Sequence, residues 1–147
     1  MSNKTKFILI GRSFAGKTTL CQRIYGDELV YHKTQTIQIV QQTIIDTPGE
    51  YLERRFRSPL QVASVDADII VFVQSAIEDG TMFPPAYKSM FAKPCLGIIS
   101  KCDIATGEQI ARAHEFLLLA GAEKIFKISS ITGEGVDEFL EYLGTYQ

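Results

Sequence analysis

Apolar runs of strand length recur along this chain at Phe7–Ile10, Ile37–Val40, Thr43–Ile45, Ile69–Val73, Leu96–Ile99 and Ile125–Ile128. Between several of them lie segments with helical spacing. Thr19–Tyr25 follows the first run. In "GEQIARAHEFLLLAGA", Ile110, Ala113, Leu117 and Ala120 share one face ahead of Gly121, and in "GVDEFLEYL" the spaced residues are Val136, Phe139, Leu140 and Leu143. A strand apolar on both faces must be covered on both sides. Strands of this kind alternating with helices therefore predict an α/β fold built on a mostly parallel, doubly wound sheet. "TIQIVQQTIID" reads as a hairpin turning at Gln41-Gln42, which adds one antiparallel edge strand. "EDGTMFPPAYKSMFAKP" carries three prolines and little periodicity, so that crossover is expected to be irregular. No repeat or interdomain linker interrupts the 147 residues, and a single domain over 1–147 is expected.

Open parallel sheets bind ligands beyond the carboxyl ends of their strands. Four polar clusters follow strands here: "GRSFAGKT" after the first, "DTPGE" after the third, "SKCD" after the fifth and "SS" after the sixth. All four are expected on one edge.

"GRSFAGKT" has the spacing G-x-x-x-x-G-K-[ST], and it sits where the mechanism of that pattern requires, between a strand and a helix. From Gly11 through Ser13, Phe14, Ala15 and Gly16, its backbone N–H groups would curl around a nucleotide β-phosphate, with the helix dipole aimed at the anion. Lys17 would reach the β- and γ-phosphates and face ligand in place of the core, and the Thr18 hydroxyl would coordinate Mg²⁺. Asp46, closing the run "TIID", would hold the same ion through a water, and the Gly49 N–H would sense a γ-phosphate. In "SKCD", Asp103 is placed to accept from N1–H and the 2-amino group of guanine while the Lys101 stem packs on the base. Adenine lacks that donor pair, and a site built for donors rejects such an analogue strongly. The backbone of Ser129 and Ser130 would close over the base edge.

Composition narrows the function further. The net charge of −2 gives no electrostatic case for nucleic acid or an anionic membrane. Cys21, Cys95 and Cys102 form no CxxC pair and read as reduced thiols. The segment before Gly11 has too few apolar residues for a signal sequence, and no apolar run approaches membrane-spanning length, so a cytoplasmic protein is expected. His32 and His114 have no partner at metal-ligand spacing.

In order, "GRSFAGKT", "KTQT", "DTPGE", "SKCD" and "ISS" resemble the Ras-like small GTPases along the whole chain. More closely, "KTQTI…IDTPGEYLERR" in so compact a chain resembles the EutP/PduV family, encoded with ethanolamine- or propanediol-utilisation systems. The resemblance implies a six-stranded, doubly wound, Ras-like P-loop NTPase fold with GTP or GDP and Mg²⁺ as ligands. It implies a phosphate site at Gly11, Gly16, Lys17, Thr18 and Thr19, and a switch threonine at Thr34 or Thr36, of which counting from the phosphate loop favours Thr36. Glu50 stands where Ras-like proteins carry the glutamine that orients the attacking water, and Ser100 stands for the usual asparagine of the base-reading motif. Association with bacterial microcompartments, through shell or enzyme proteins, is implied as well. Members of the family have also been assigned an ATP-dependent acetate kinase role. That alternative would use the same loop with a carboxylate acceptor, for which Arg12, Arg54, Arg55 and Arg57 are the candidate clamps.

Overall fold

The computed structural model describes residues 6–12, 15–25, 38–40, 44–46 and 57–144. In chain order the elements are β1 (Phe7–Ile10), α1 (Lys17–Tyr25), β2 (Gln38–Val40), β3 (Ile44–Asp46), α2 (Arg57–Ser64), β4 (Ile69–Ser75), β5 (Cys95–Ser100), α3 (Gly107–Ala120), β6 (Ile125–Lys127) and α4 (Val136–Gly144). Short 3-10 turns at Tyr87–Met90 and Cys102–Ile104 complete the series.

Strands β1, β4, β5 and β6 run parallel, with Phe7 opposite Ile69, Ile70 opposite Cys95 and Gly97 opposite Ile125. On the other side of β1, Ile44 of β3 pairs in parallel with Phe7, and the three residues of β2 pair antiparallel with β3. The centre is β4, seven residues "IIVFVQS" that are buried throughout. Its Ile, Val and Phe side chains fit a pleated surface packed on both faces.

Alternation along the strands sends side chains to two cores. Ile8, Ile10, Ile70, Phe72 and Ile99 pack with Leu60 of α2 and with Ala113, Leu117 and Ala120 of α3. Phe7, Leu9, Val71, Val73, Leu96 and Ile98 pack with Leu20 of α1 and with Val136, Phe139 and Leu143 of α4. The sheet is covered on both faces, as the doubly apolar runs require.

Some expectations are corrected. Strands β4 and β5 continue past their apolar runs through Gln74-Ser75 and Ser100. Helix α2 was not apparent from periodicity. Leu140, at helical spacing with the buried residues of α4, is 37% exposed and lies at the rim. The proline-rich crossover is irregular but anchored. Phe72 of β4 holds the rings of Phe83 and Tyr87 at 5.0 and 5.3 Å between centroids, and Phe91 packs beside them. The hairpin turn Gln41-Gln42 lies outside the described residues.

Candidate functional site

All the parallel strands end at one edge, and among the described residues the polar ones at the ends of β1, β5 and β6 lie there. The loop after β1 is pressed onto β4. A Cβ built on Gly11 would stand 2.7 Å from the Val73 carbonyl oxygen, closer than atoms pack, so only glycine lets the chain turn off β1 at this point. Gly16, with φ +98°, adopts the left-handed conformation that reverses the chain into α1. Leu20 N–H then donates to the Gly16 carbonyl at 2.9 Å, closing the first turn of the helix.

Lys17 opens α1, and it is only 7% exposed. Its Nζ donates to the Gly11 carbonyl at 2.7 Å and to the Arg12 carbonyl at 3.2 Å. A buried ammonium is therefore fixed inside the loop by backbone oxygens. The first turn of α1 carries no acidic residue, so the positive end of the helix dipole and the ammonium add at one place. Thr18 and Thr19 follow in that turn, Thr18 half-buried and Thr19 exposed.

The "SKCD" cluster is joined to this loop. The Ser100 hydroxyl donates to the Ala15 carbonyl at 2.5 Å, linking residues 85 positions apart. Next to it Lys101 takes a left-handed conformation, φ 60° and ψ 33°, and starts the turn that presents Asp103 to solvent. The backbone of Cys102 reaches the Ile128 carbonyl, which ties this loop to the end of β6. Ser129 is fully buried. Its N–H donates to the Glu134 carbonyl at 3.0 Å, its carbonyl accepts from Gly133 at 2.8 Å, and its Oγ accepts from Thr132 N–H at 3.2 Å. Ser129 thus shapes the sixth-strand loop from within, and half-buried Ser130 is the member of the pair nearer solvent.

Asp46 is the last residue of β3 and is opposite Leu9, which places it at the same carboxyl edge as the loop after β1. Ser13, Phe14, Thr34, Thr36, Gly49 and Glu50 lie outside the described residues. The Arg12 guanidinium is held by Glu78, 2.8 Å from Oε2, on the turn after β4. That turn is also gripped by Arg112 of α3, which donates to the Glu78 carbonyl at 3.3 Å. An acceptor carboxylate at Arg12 would share the guanidinium with Glu78.

The end of β4 escaped the sequence reading. Gln74, buried, donates to the Gly80 carbonyl at 2.9 Å and accepts from Thr81 Oγ1 at 2.8 Å, fixing the turn that carries Glu78. Ser75 beside it is also buried, at the site edge. A Gln-Ser pair ending an otherwise apolar run was the available signal. Among the described residues, no cluster of metal-ligating side chains and no helix able to cross a membrane is present.

The fold is that of the P-loop GTPases. Translation elongation factor SelB from Methanococcus maripaludis, solved in complex with the GTP analogue GppNHp, superimposes with a TM-score of 0.68. At 22% identity, 99% of this chain covers 34% of that protein, so the chain spans about a third of the larger molecule. The chain belongs to the PduV-EutP family, described as ethanolamine utilisation–propanediol utilisation, which it matches over residues 4–145. It is similar to the propanediol utilization protein PduV of Citrobacter freundii, 40% identical over 94% of this chain and 92% of that one. It is also similar to the probable acetate kinase EutP of Escherichia coli K12, at 28% identity over 95% of this chain and 89% of that one.

Proposed function

We propose that this protein is a Mg²⁺-dependent guanine-nucleotide switch, a slow GTPase working in propanediol or ethanolamine utilisation. The observation that carries the reading is the buried Lys17 ammonium, fixed on the Gly11 and Arg12 carbonyls at the amino end of α1. The ammonium adds its charge to the positive end of the helix dipole, a setting that favours an anion. The likeness to a protein solved with a GTP analogue supports a guanine nucleotide. On this reading the loop from Gly11 to Thr19, with Ser13, Phe14, Ala15, Gly16 and Thr18, cradles the phosphates. Lys101 and Asp103 bind the base, Ser100 joins base loop to phosphate loop, and Ser129 with Ser130 closes the base edge.

The residues present fit Mg²⁺, a hard cation that takes oxygen donors: Thr18 is the second residue of α1, after Lys17, and Asp46 ends the strand next to β1. When bound, the ion would neutralise charge developing between the β- and γ-phosphates. Thr36 would complete the set, Gly49 would report the γ-phosphate, and Glu50 would stand by the attacking water. An anionic Glu50 cannot donate to the developing oxyanion, which keeps hydrolysis slow. We further take the sheet to be six-stranded with β2 as its antiparallel edge and residues 1–147 to form one domain. The protein is proposed to be cytoplasmic and to dock on microcompartment shell or enzyme proteins.

The similarity to the probable acetate kinase EutP favours a second reading. There an acetate oxygen attacks the γ-phosphorus of ATP, and ADP leaves. Titration calorimetry with GDP, GTP, ADP and ATP, followed by an acetate phosphorylation assay, separates the two. The switch reading expects GDP to bind far more tightly than ADP. It also expects Asp103→Asn to erode that preference, since an ionised carboxylate makes stronger bonds to guanine than an amide does. Equal affinities in wild type, unmoved by Asp103→Asn, with acetyl phosphate formed, would give the kinase reading the site.

A further inference from the structure

Six polar side chains are buried among the described residues: Lys17, Ser64, Gln74, Ser75, Ser100 and Ser129. Five have partners already within the protein. Lys17 holds loop carbonyls, Ser64 donates to the Gln61 carbonyl, Gln74 fixes the turn after β4, Ser100 bonds to Ala15, and Ser129 accepts from Thr132. The sixth, Ser75, is 4% exposed, and its Oγ has no hydrogen-bond partner. Buried hydroxyls are nearly always satisfied, so this exception calls for a reason.

Its position supplies one. In a strand, side chains two residues apart share a face. Ser75 therefore stands on the face of Val73, whose backbone oxygen and Cβ crowd Gly11 at the start of the phosphate loop. Directly opposite, in register on β5, is Ser100, whose hydroxyl already holds Ala15 near the loop's end. The Ser75 hydroxyl is flanked by residues that touch both ends of the loop. We infer that Ser75 is a positioning residue for the nucleotide: its hydroxyl bonds to the phosphate loop in the conformation that the loop takes around a nucleoside di- or triphosphate. The inference rests on the nucleotide reading above and adds to it a contact through which the sheet registers whether the loop is loaded.

The test compares wild type with Ser75→Ala and Ser75→Cys, the second being close to serine in size but a weak hydrogen bonder. GDP affinity is measured by calorimetry, and the melting temperature of each protein is taken without nucleotide. Both variants should bind GDP about fivefold more weakly, the worth of one net hydrogen bond read as affinity. Their nucleotide-free melting temperatures should equal or exceed that of wild type, because no bond is lost in that state. Wild-type GDP affinity in both variants would overturn the inference. So would a lower nucleotide-free melting temperature in Ser75→Ala, which would mean that the hydroxyl is already bonded before nucleotide arrives. Absence of GDP binding by wild type itself would identify a failure of the nucleotide reading, and the inference would fall with it.

Discussion

Lys17 stands at the first position of α1 with its ammonium turned back onto the Gly11 and Arg12 carbonyls. The ammonium is buried and braces the loop by these bonds. Lys17→Ala should therefore do two things. It should abolish nucleotide binding, and it should lower the stability of the nucleotide-free protein by about 1.5–3 kcal/mol, the range for hydrogen bonds to a charged group. Denaturation in the absence of nucleotide would show the second effect separately. A second residue sets a pH limit. Burial first, then the Glu123 carboxylate, pushes the Cys95 thiol from 9.0 up to about 12, against a lowering by Lys88. The folded state thus keeps its proton where the unfolded chain loses it. Stability from this source is whole below pH 9 and falls as pH rises from 9 toward 12. Urea titrations between pH 8 and 11 should show the decline, and it should be smaller in Cys95→Ala.

At the level of elements, α3 is defined by chemistry local to its sequence. Thr106 Oγ1 accepts from Gln109 N–H at 3.2 Å, and Gln109 Oε1 accepts from Thr106 N–H at 2.9 Å, a reciprocal cap. Thr106→Ala should cost about 1 kcal/mol, measurable as a lower melting temperature with GDP affinity unchanged. This helix was readable because its buried residues keep helical spacing and Gly121 ends it with φ 104°. Helix α2 was not readable, for a physical reason. It buries Leu60 and Ala63 but leaves Val62 70% exposed, and Val65 just after it is 72% exposed, so apolar spacing carries no information there. Its end is also gripped from 26 to 29 residues away, where Lys93 Nζ reaches the Ser64 carbonyl and, just beyond the helix, those of Val65 and Ala67. A cap supplied across the fold leaves no local mark.

Across the whole molecule, the sheet and its two covered faces were legible because both consequences follow from runs apolar on both sides. The site was legible as clusters placed after strands. What joins those clusters was not, since the Ser100–Ala15 and Cys102–Ile128 bonds depend on which strands become neighbours. Ser75 lies past the apolar run ending at Val73, so hydropathy alone does not include it in the strand. Ligand that binds only this assembled edge must stabilise the entire fold. GDP at about 100 times its dissociation constant should add roughly 2.7 kcal/mol, read as a concentration-dependent rise in melting temperature that Lys17→Ala abolishes.

The bond from Ser100 to Ala15 spans 85 residues, and that distance has a temporal meaning. A ribosome makes the phosphate loop early and the serine that secures it much later. The loop made first must wait for β5, and for the β6 segment that anchors the Cys102 turn, before its geometry is set. Amino-terminal fragments ending before Ser100 would carry the complete "GRSFAGKT" sequence without that anchor. On the proposed nucleotide reading, capture of a nucleotide during synthesis would mark the moment at which the carboxyl-terminal half has docked.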